Sequence, residues 1–180
     1  RLPEGGSTGW ASLAPLALVG PDWEHLDFAL ARGDETAPLA ACADLRRAVA
    51  AGLDREAIVA DALAARGTVQ DGWVPVGHWA IGTTADVASH PHDPAAARAL
   101  LDGLGFRDAD GDGVREADST VVCTTVDAGG TPGSVSIPAG TRLTLALVTT
   151  AGDAVRARTV QRLQADLAAI GVEVRPGLVA

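Results

Sequence analysis

Lysine, asparagine, methionine and tyrosine are all missing from this 180-residue sequence. All 14 basic residues are therefore Arg, set against 23 acidic ones, for a formal net charge of −9. Without clustered cations, nucleic acid and anionic membrane are excluded as partners, since both are recognised through positive charge. Aromatic residues make up only 3% of the chain, so its core is built from Leu, Val, Ile and Ala. At 47% hydrophobic residues that core is large enough to exclude wholesale disorder. No apolar run approaches the roughly 20 residues that span a bilayer, so no part of the segment is expected to insert in a membrane. Residues 13–19 are too short an apolar run, and lack the basic leader, for a signal peptide. With Arg rather than Met at its head, the sequence reads as processed or as part of a longer protein.

Also missing is any recognisable catalytic signature. There is no HExxH, no phosphate-binding Walker loop and no GxGxxG opening a helix. The glycines at 129–133 follow a strand pattern but lead into no helix. An enzyme is not expected.

What is present is an alternation of strand and helix patterns. The first 21 residues, rich in Gly, Ser and Pro, read as an irregular opening segment. Residues 23–30 alternate with period two, which predicts a strand with Leu26, Phe28 and Leu30 on its apolar face. Gly33 to Pro38 breaks it. Asp44 then caps a predicted helix burying Leu45, Ala48, Val49 and Leu53, and Asp54 caps another burying Ile58, Ala62 and Leu63, ended by Gly67. Residues 68–92 lack any sustained period and read as a long loop. Asp93-Pro94 opens a helix running to Leu104, because Asp caps while Pro fits the first turn.

Residues 121–126 predict a short strand, followed by a Gly/Pro turn region to Gly140. The last forty residues predict a strand over 142–149, a helix over 152–170 stopped by Gly171, and a returning strand through Val172, Val174 and Leu178. Such a unit implies a parallel pair joined by a crossover helix. The fold class is α/β, a mixed sheet flanked by helices with a C-terminal β-α-β unit, in a single domain over residues 1–180.

Three groups of residues invite a chemical role. Asp108, Asp110 and Asp112 alternate and are followed by Gly113, matching the opening half of a calcium loop, in which a hard cation gathers oxygens around a sharp turn. The twelfth position is Ser119, not a bidentate Glu, leaving Glu116 as the compensating ligand. The bland alternative is an Asp/Gly turn between helix and strand. Cys42 and Cys123 lie outside any metal-like spacing. In an exported protein they would form a disulfide; otherwise they are small buried residues. Trp73 and Trp79 in the long loop are amphipathic platforms that either line a pocket or anchor local packing. The four His residues, including His90 and His92 around Pro91, read as loop or half-buried side chains.

Taken in order, several stretches resemble the family 5 extracellular solute-binding proteins, the receptors of peptide and nickel ABC importers, over a family-like core of residues 22–179. These are WEHLDF (23–28), LRRA (45–48) running into LDREAIV (53–59), HDP (92–94) with residues 97–101, GFRDADGDGVRE (105–116), and residues 143–174 around LAAIGV (167–172). The resemblance implies a periplasmic-binding-protein type II-like, Venus-flytrap receptor, of which this chain is part of the second large lobe. It further implies capture of peptides or similar small solutes and docking on an ABC permease. The location implied is the extracellular or periplasmic face of the envelope, with a lipoprotein or secretory signal upstream. The chain itself would be monomeric and without cofactor, apart from a possible structural Ca²⁺. Trp73 and Trp79 become the residues expected to face the ligand cleft, and Asp54-Arg55 the helix start that organises the lobe. Two other readings stand beside it: a calcium-binding structural or adhesion module, and a stand-alone small-ligand-sensing α/β domain.

Overall fold

The computed structural model of the chain describes residues 23–30, 37–75, 78–81, 88–126 and 130–179. The expected opening segment 1–21 and the start of the break at Gly33 lie outside them, as do Gly77, Gly82 and Gly129. Two short helices come first, α1 (Ala37–Ala41) and α2 (Ala43–Gly52), separated only by Cys42. Arg46 stabilises this junction by donating to the terminal carbonyls of α1, Ala40 O at 2.9 Å and Ala41 O at 2.8 Å. Cys42, not Asp44, occupies the N-cap of α2, and its side chain makes no capping bond. Asp44 sits inside the first turn and pairs instead with Arg47 at 2.6 Å.

The second expected cap is found where the sequence placed it. Asp54 Oδ1 accepts from Ala57 N at 2.9 Å and opens α3 (Arg55–Ala62). That helix stops at Ala62 rather than near Gly67, because Ala64 and Ala65 turn into the left-handed region, with φ of 50° and 57°. The helix α4 (Pro94–Leu104) begins on Asp93, whose Oδ1 accepts from Ala96 N, and ends on Gly105 at φ 89°, a conformation that glycine adopts without a steric penalty.

The strands among the described residues associate in pairs. β1 (Phe106–Arg107) pairs antiparallel with β2 (Glu116–Ala117) around the acidic turn. β3 (Val121–Val126) pairs antiparallel with β4 (Pro132–Ile137), with Cys123 opposite Val135 and Val121 opposite Ile137. The Gly/Pro turn region expected up to Gly140 therefore contains a strand. Pro132 is tolerated because it is the strand's first residue, and alternation then turns Val135 and Ile137 inward. β5 (Thr144–Thr150), α5 (Ala154–Ala168) and β6 (Glu173–Val179) form the β-α-β unit, its strands parallel with Thr144 opposite Glu173. Asp153 caps α5 by accepting from Val155 N and Arg156 N.

The strands do not join into one mixed sheet among the described residues. They form three two-stranded sheets, tied by an isolated bridge between Glu116 and Arg142 and by backbone bonds such as Leu143 N to Arg115 O. Residues 23–30 form no strand either. Their alternation is nonetheless real: Trp23 stacks on His25 at 4.5 Å and His25 reaches Asp27 at 2.9 Å, all on one side, while Phe28 on the other packs against the core. A pattern of period two fixes which side chains share a face but supplies no neighbour for the backbone.

The core draws on helices and strands alike. Leu45 and Val49 of α2, Leu101 of α4, Phe106, Ile137, Leu143 and Ile170 are each at most 1% exposed. Burying the Phe106 ring alone contributes roughly 2 to 3 kcal/mol. α2 packs on α4, and α3 on α5. No helix among the described residues is long and apolar enough to cross a membrane.

Candidate functional site

The N-terminus of α3 organises the long loop that follows it. Because Asp54 fixes the cap, Arg55 leaves the first turn in a defined direction, and its guanidinium reaches both ends of the loop. Nη1 donates to Gln70 O at 3.0 Å, while Nη2 donates to Asp71 Oδ1 at 2.6 Å and to His90 O at 2.8 Å. The Asp71 carboxylate also accepts from the Ser89 side chain and the His90 backbone. The Arg55 guanidinium, above all, holds the Asp71 carboxyl below its ordinary range. Asp54 faces the opposite way, with Oδ2 3.5 Å from Arg162 of α5 and 3.6 Å from His92. Asp166 of α5 accepts from Asp54 N at 3.0 Å. The loop base is thereby joined to two helices.

Within this clasp lie the two tryptophans. Trp73 is 79% exposed and Trp79 is 90% exposed, so neither anchors local packing. Trp79 sits in a built turn: His78 N donates to Pro75 O at 3.0 Å, Ile81 N to His78 O at 3.0 Å, and Ala80 N to His78 Nδ1 at 3.1 Å. The His78 ring lies 5.5 Å from the Trp79 ring. The loop thus carries two exposed indole rings, while Arg55 bonds to Gln70, Asp71 and His90 at its base.

The acidic turn lies apart from that loop, between β1 and β2. Oxygens of Asp108, Asp110 and Glu116 come within 4.8 Å of one another. The three aspartates are engaged by the turn itself: Asp108 accepts from Gly111 N and Gly113 N, Asp110 from Asp112 N, and Asp112 from Val114 N. A positive charge also lies in the cluster, for Arg142 donates to Asp112 Oδ2 at 2.7 Å and Glu116 Oε1 at 2.9 Å. The Val114 N–H and then Arg142 hold the Asp112 carboxyl below its ordinary range. The cluster borders an open depression of about 560 Å³ that reaches Asp118 and Gly140. A calcium ion needs about six to eight oxygens, and here an arginine already stands among the carboxylates.

Cys42 and Cys123 form a disulfide, with Cα atoms 5.1 Å apart, joining the α1–α2 junction to β3 beneath the surface. Neither Arg142 nor the Arg55 clasp was legible as a site. Arg142 follows the acidic run by some thirty residues, and the acceptors of Arg55 are mostly backbone carbonyls, which carry no sequence signal.

The family of bacterial extracellular solute-binding proteins, family 5 Middle, matches residues 20–177. The oligopeptide-binding protein AppA from Bacillus subtilis, solved with a nonapeptide, is similar at 26% identity and TM-score 0.60 over 76% of this chain and 23% of its own. An oligopeptide-binding protein from Thermus thermophilus, complexed with a pentapeptide, is 26% identical with TM-score 0.55 over 74% of this chain and 19% of its own. The periplasmic binding protein MelB from Agrobacterium fabrum C58, in complex with stachyose, shares the fold at 21% identity and TM-score 0.58, over 81% of this chain and 20% of its own. No curated protein matches the sequence. The chain spans less than a quarter of each of these structures. Its helices and strands are those of the type II periplasmic binding proteins, and the chain belongs to the family 5 bacterial extracellular solute-binding proteins.

Proposed function

We propose that this chain is part of one lobe of a receptor that captures peptides or similar small solutes and delivers them to an ABC permease. The family match over residues 20–177 carries the reading, supported by two peptide-bound relatives at 26% identity. The chain's work is then mechanical rather than catalytic: it presents one wall of a cleft and moves as a unit when the receptor closes. The exposed Trp73 and Trp79 are its ligand-facing surface. The receptor works at the extracellular or periplasmic face of the cell envelope, where a disulfide such as Cys42–Cys123 persists. A calcium-dependent module fits less well, because Arg142 stands among the carboxylates that would hold the ion.

Titration calorimetry tests this with a panel of di- to pentapeptides. Protein made from the complete reading frame binds members of the panel, whereas the 180-residue chain alone binds them weakly or not at all, since most of the receptor's contacts lie elsewhere. Micromolar dipeptide binding by the 180-residue chain alone overturns the lobe reading. Absence of any peptide binding by the complete protein overturns the substrate class.

A further inference from the structure

We propose that the Cys42–Cys123 bridge is a redox-dependent lock on the β3–β4 pair. With the bridge formed the pair is part of the lobe; with it reduced the pair opens as a unit while the remaining elements stay folded. The inference concerns the assembly of the lobe and does not depend on which solute the receptor takes.

Three observations carry it. First, hydrogen bonds to backbone groups link the other elements across their boundaries. Leu143 N donates to Arg115 O at 2.8 Å, Glu173 N to Leu143 O at 2.8 Å and Arg115 N to Gly171 O at 2.9 Å, joining the β1–β2 turn to β5, β6 and the end of α5. Asp93 N donates to Ala51 O at 2.8 Å, tying the cap of α4 to α2, and Asp54 N reaches Asp166 of α5. Among the described residues, by contrast, no backbone hydrogen bond leaves β3 or β4 for another element. Their ladder runs within the pair, from Val121 opposite Ile137 to Val126 opposite Pro132. A two-stranded antiparallel pair is marginal on its own.

Second, the inner face of the pair meets α2 and α1 through apolar side chains, with Val121 and Ile137 buried and Val135 packed beside them. Apolar contact is non-directional; the fixed tie is the bridge, which runs from the middle of β3 to the α1–α2 junction. Third, Cys42 is 0% exposed and Cys123 1%. Thiol–disulfide exchange needs a thiolate to reach one of the sulfurs, so docking of the pair shields the bridge and the bridge in turn keeps the pair docked. Reduction by a dithiol balances simply: its thiolate attacks one sulfur, its second thiol resolves the mixed disulfide, and two protein thiols and one cyclic disulfide result. Completion of the lobe is thereby coupled to an oxidising compartment.

Hydrogen exchange followed by mass spectrometry tests this on protein made from the complete reading frame, bridged and as the Cys42→Ala, Cys123→Ala double variant. The quantity read is the exchange rate of peptides covering β3 and β4 divided by that of peptides covering β5 and β6, which cancels any change in global stability. Without the bridge this ratio rises about tenfold or more, within the roughly thousandfold that the loop-closure entropy of the bridge permits. In the Cys42→Ala variant, iodoacetamide alkylates Cys123 in native buffer faster than the β5 and β6 amides exchange. Should the alanine variants fail to fold, wild-type protein held in excess dithiothreitol after unfolding and refolding is the second unbridged form. An unchanged ratio overturns the proposal, because the pair then opens only with the rest of the protein. Failure of both unbridged forms to fold overturns it as well, since the bridge would then hold the whole lobe rather than one pair of strands.

Discussion

Arg142 lies against Asp112, Nη2 to Oδ2 at 2.7 Å, and extends its other nitrogen to Glu116 Oε1 at 2.9 Å. The pair joins the segment before β5 to a turn thirty residues earlier, and the Glu116–Arg142 backbone bridge runs beside it. Asp112 in turn raises the pKa of Arg142 above its ordinary value. The arginine thus supplies the positive charge that the DxDxDG run would otherwise take from a metal. Millimolar CaCl₂ and a chelator are accordingly expected to leave the melting temperature unchanged. Arg142→Gln, which leaves the carboxylates uncompensated, lowers the melting temperature and makes it responsive to Ca²⁺. A calcium-dependent rise in the wild-type protein would show that the ion competes successfully with Arg142.

Cys42 and Cys123 are at most 1% exposed and separated by 81 residues. Closing a loop of that length restricts the unfolded chain by about 4.5 kcal/mol in the chain-entropy description. Alkylation of the denatured protein without reductant should add no mass, and reductant should shift the urea midpoint downward by a corresponding amount. The Cys42→Ala, Cys123→Ala double variant is expected to match the reduced protein. Two alkylated thiols in the untreated sample would remove the basis of this prediction.

How far the sequence announced these features depends on whether they are local. Asp54, Asp93 and the α4 helix were legible because capping joins residues three apart. The β-α-β unit was legible because Val160, Leu163 and Leu167 repeat at helical spacing and are all buried. β4 was hidden by Pro132 and Gly133, which read as turn residues, since only pairing with β3 makes them a strand. Residues 23–30 show the opposite error, a strand pattern with no ladder. The exposure of Trp73 and Trp79 was also undecided, because a loop tryptophan looks the same in sequence whether it packs or protrudes. Arg55 stood at a recognisable helix start, yet two of its three acceptors are main-chain carbonyls.

The carboxylates give the stability a defined acid limb. Asp71 is held below its ordinary pKa by Arg55, Asp102 by Arg115, Asp112 by the Val114 N–H, and Glu173 by Arg175 and then Thr144. A depressed folded-state pKa means the unfolded chain binds protons first as pH falls. Their contribution is therefore complete above the unfolded pKa, about 4, and is lost as pH drops through the folded values. Urea midpoints should decline below about pH 4. Asp71→Asn flattens part of that decline, and an acid limb unchanged in this variant would mean that Arg55 does not stabilise the carboxylate.

Gly171, between α5 and β6, tests the packing of Arg115. Its φ of 84° is costly for any L side chain, and a Cβ placed there would lie 2.7 Å from Arg115 Cγ. Arg115 has little freedom to retreat, because its guanidinium donates to Ile170 O at 3.0 Å, Phe106 O at 2.8 Å and Asp102 Oδ1 at 2.6 Å. Gly171→Ala therefore combines backbone strain with displacement of a side chain that ties the α5–β6 turn, β1 and α4 together. A loss of about 2 to 4 kcal/mol in urea unfolding is expected. Gly103 is the matching control, since it lies inside α4 and a methyl group added there would meet nothing within 4 Å. Gly103→Ala should stabilise by about 0.5 to 1 kcal/mol through helix propensity. If the two substitutions had equal effects, the tight approach of Arg115 to the α5–β6 turn would carry no energetic weight.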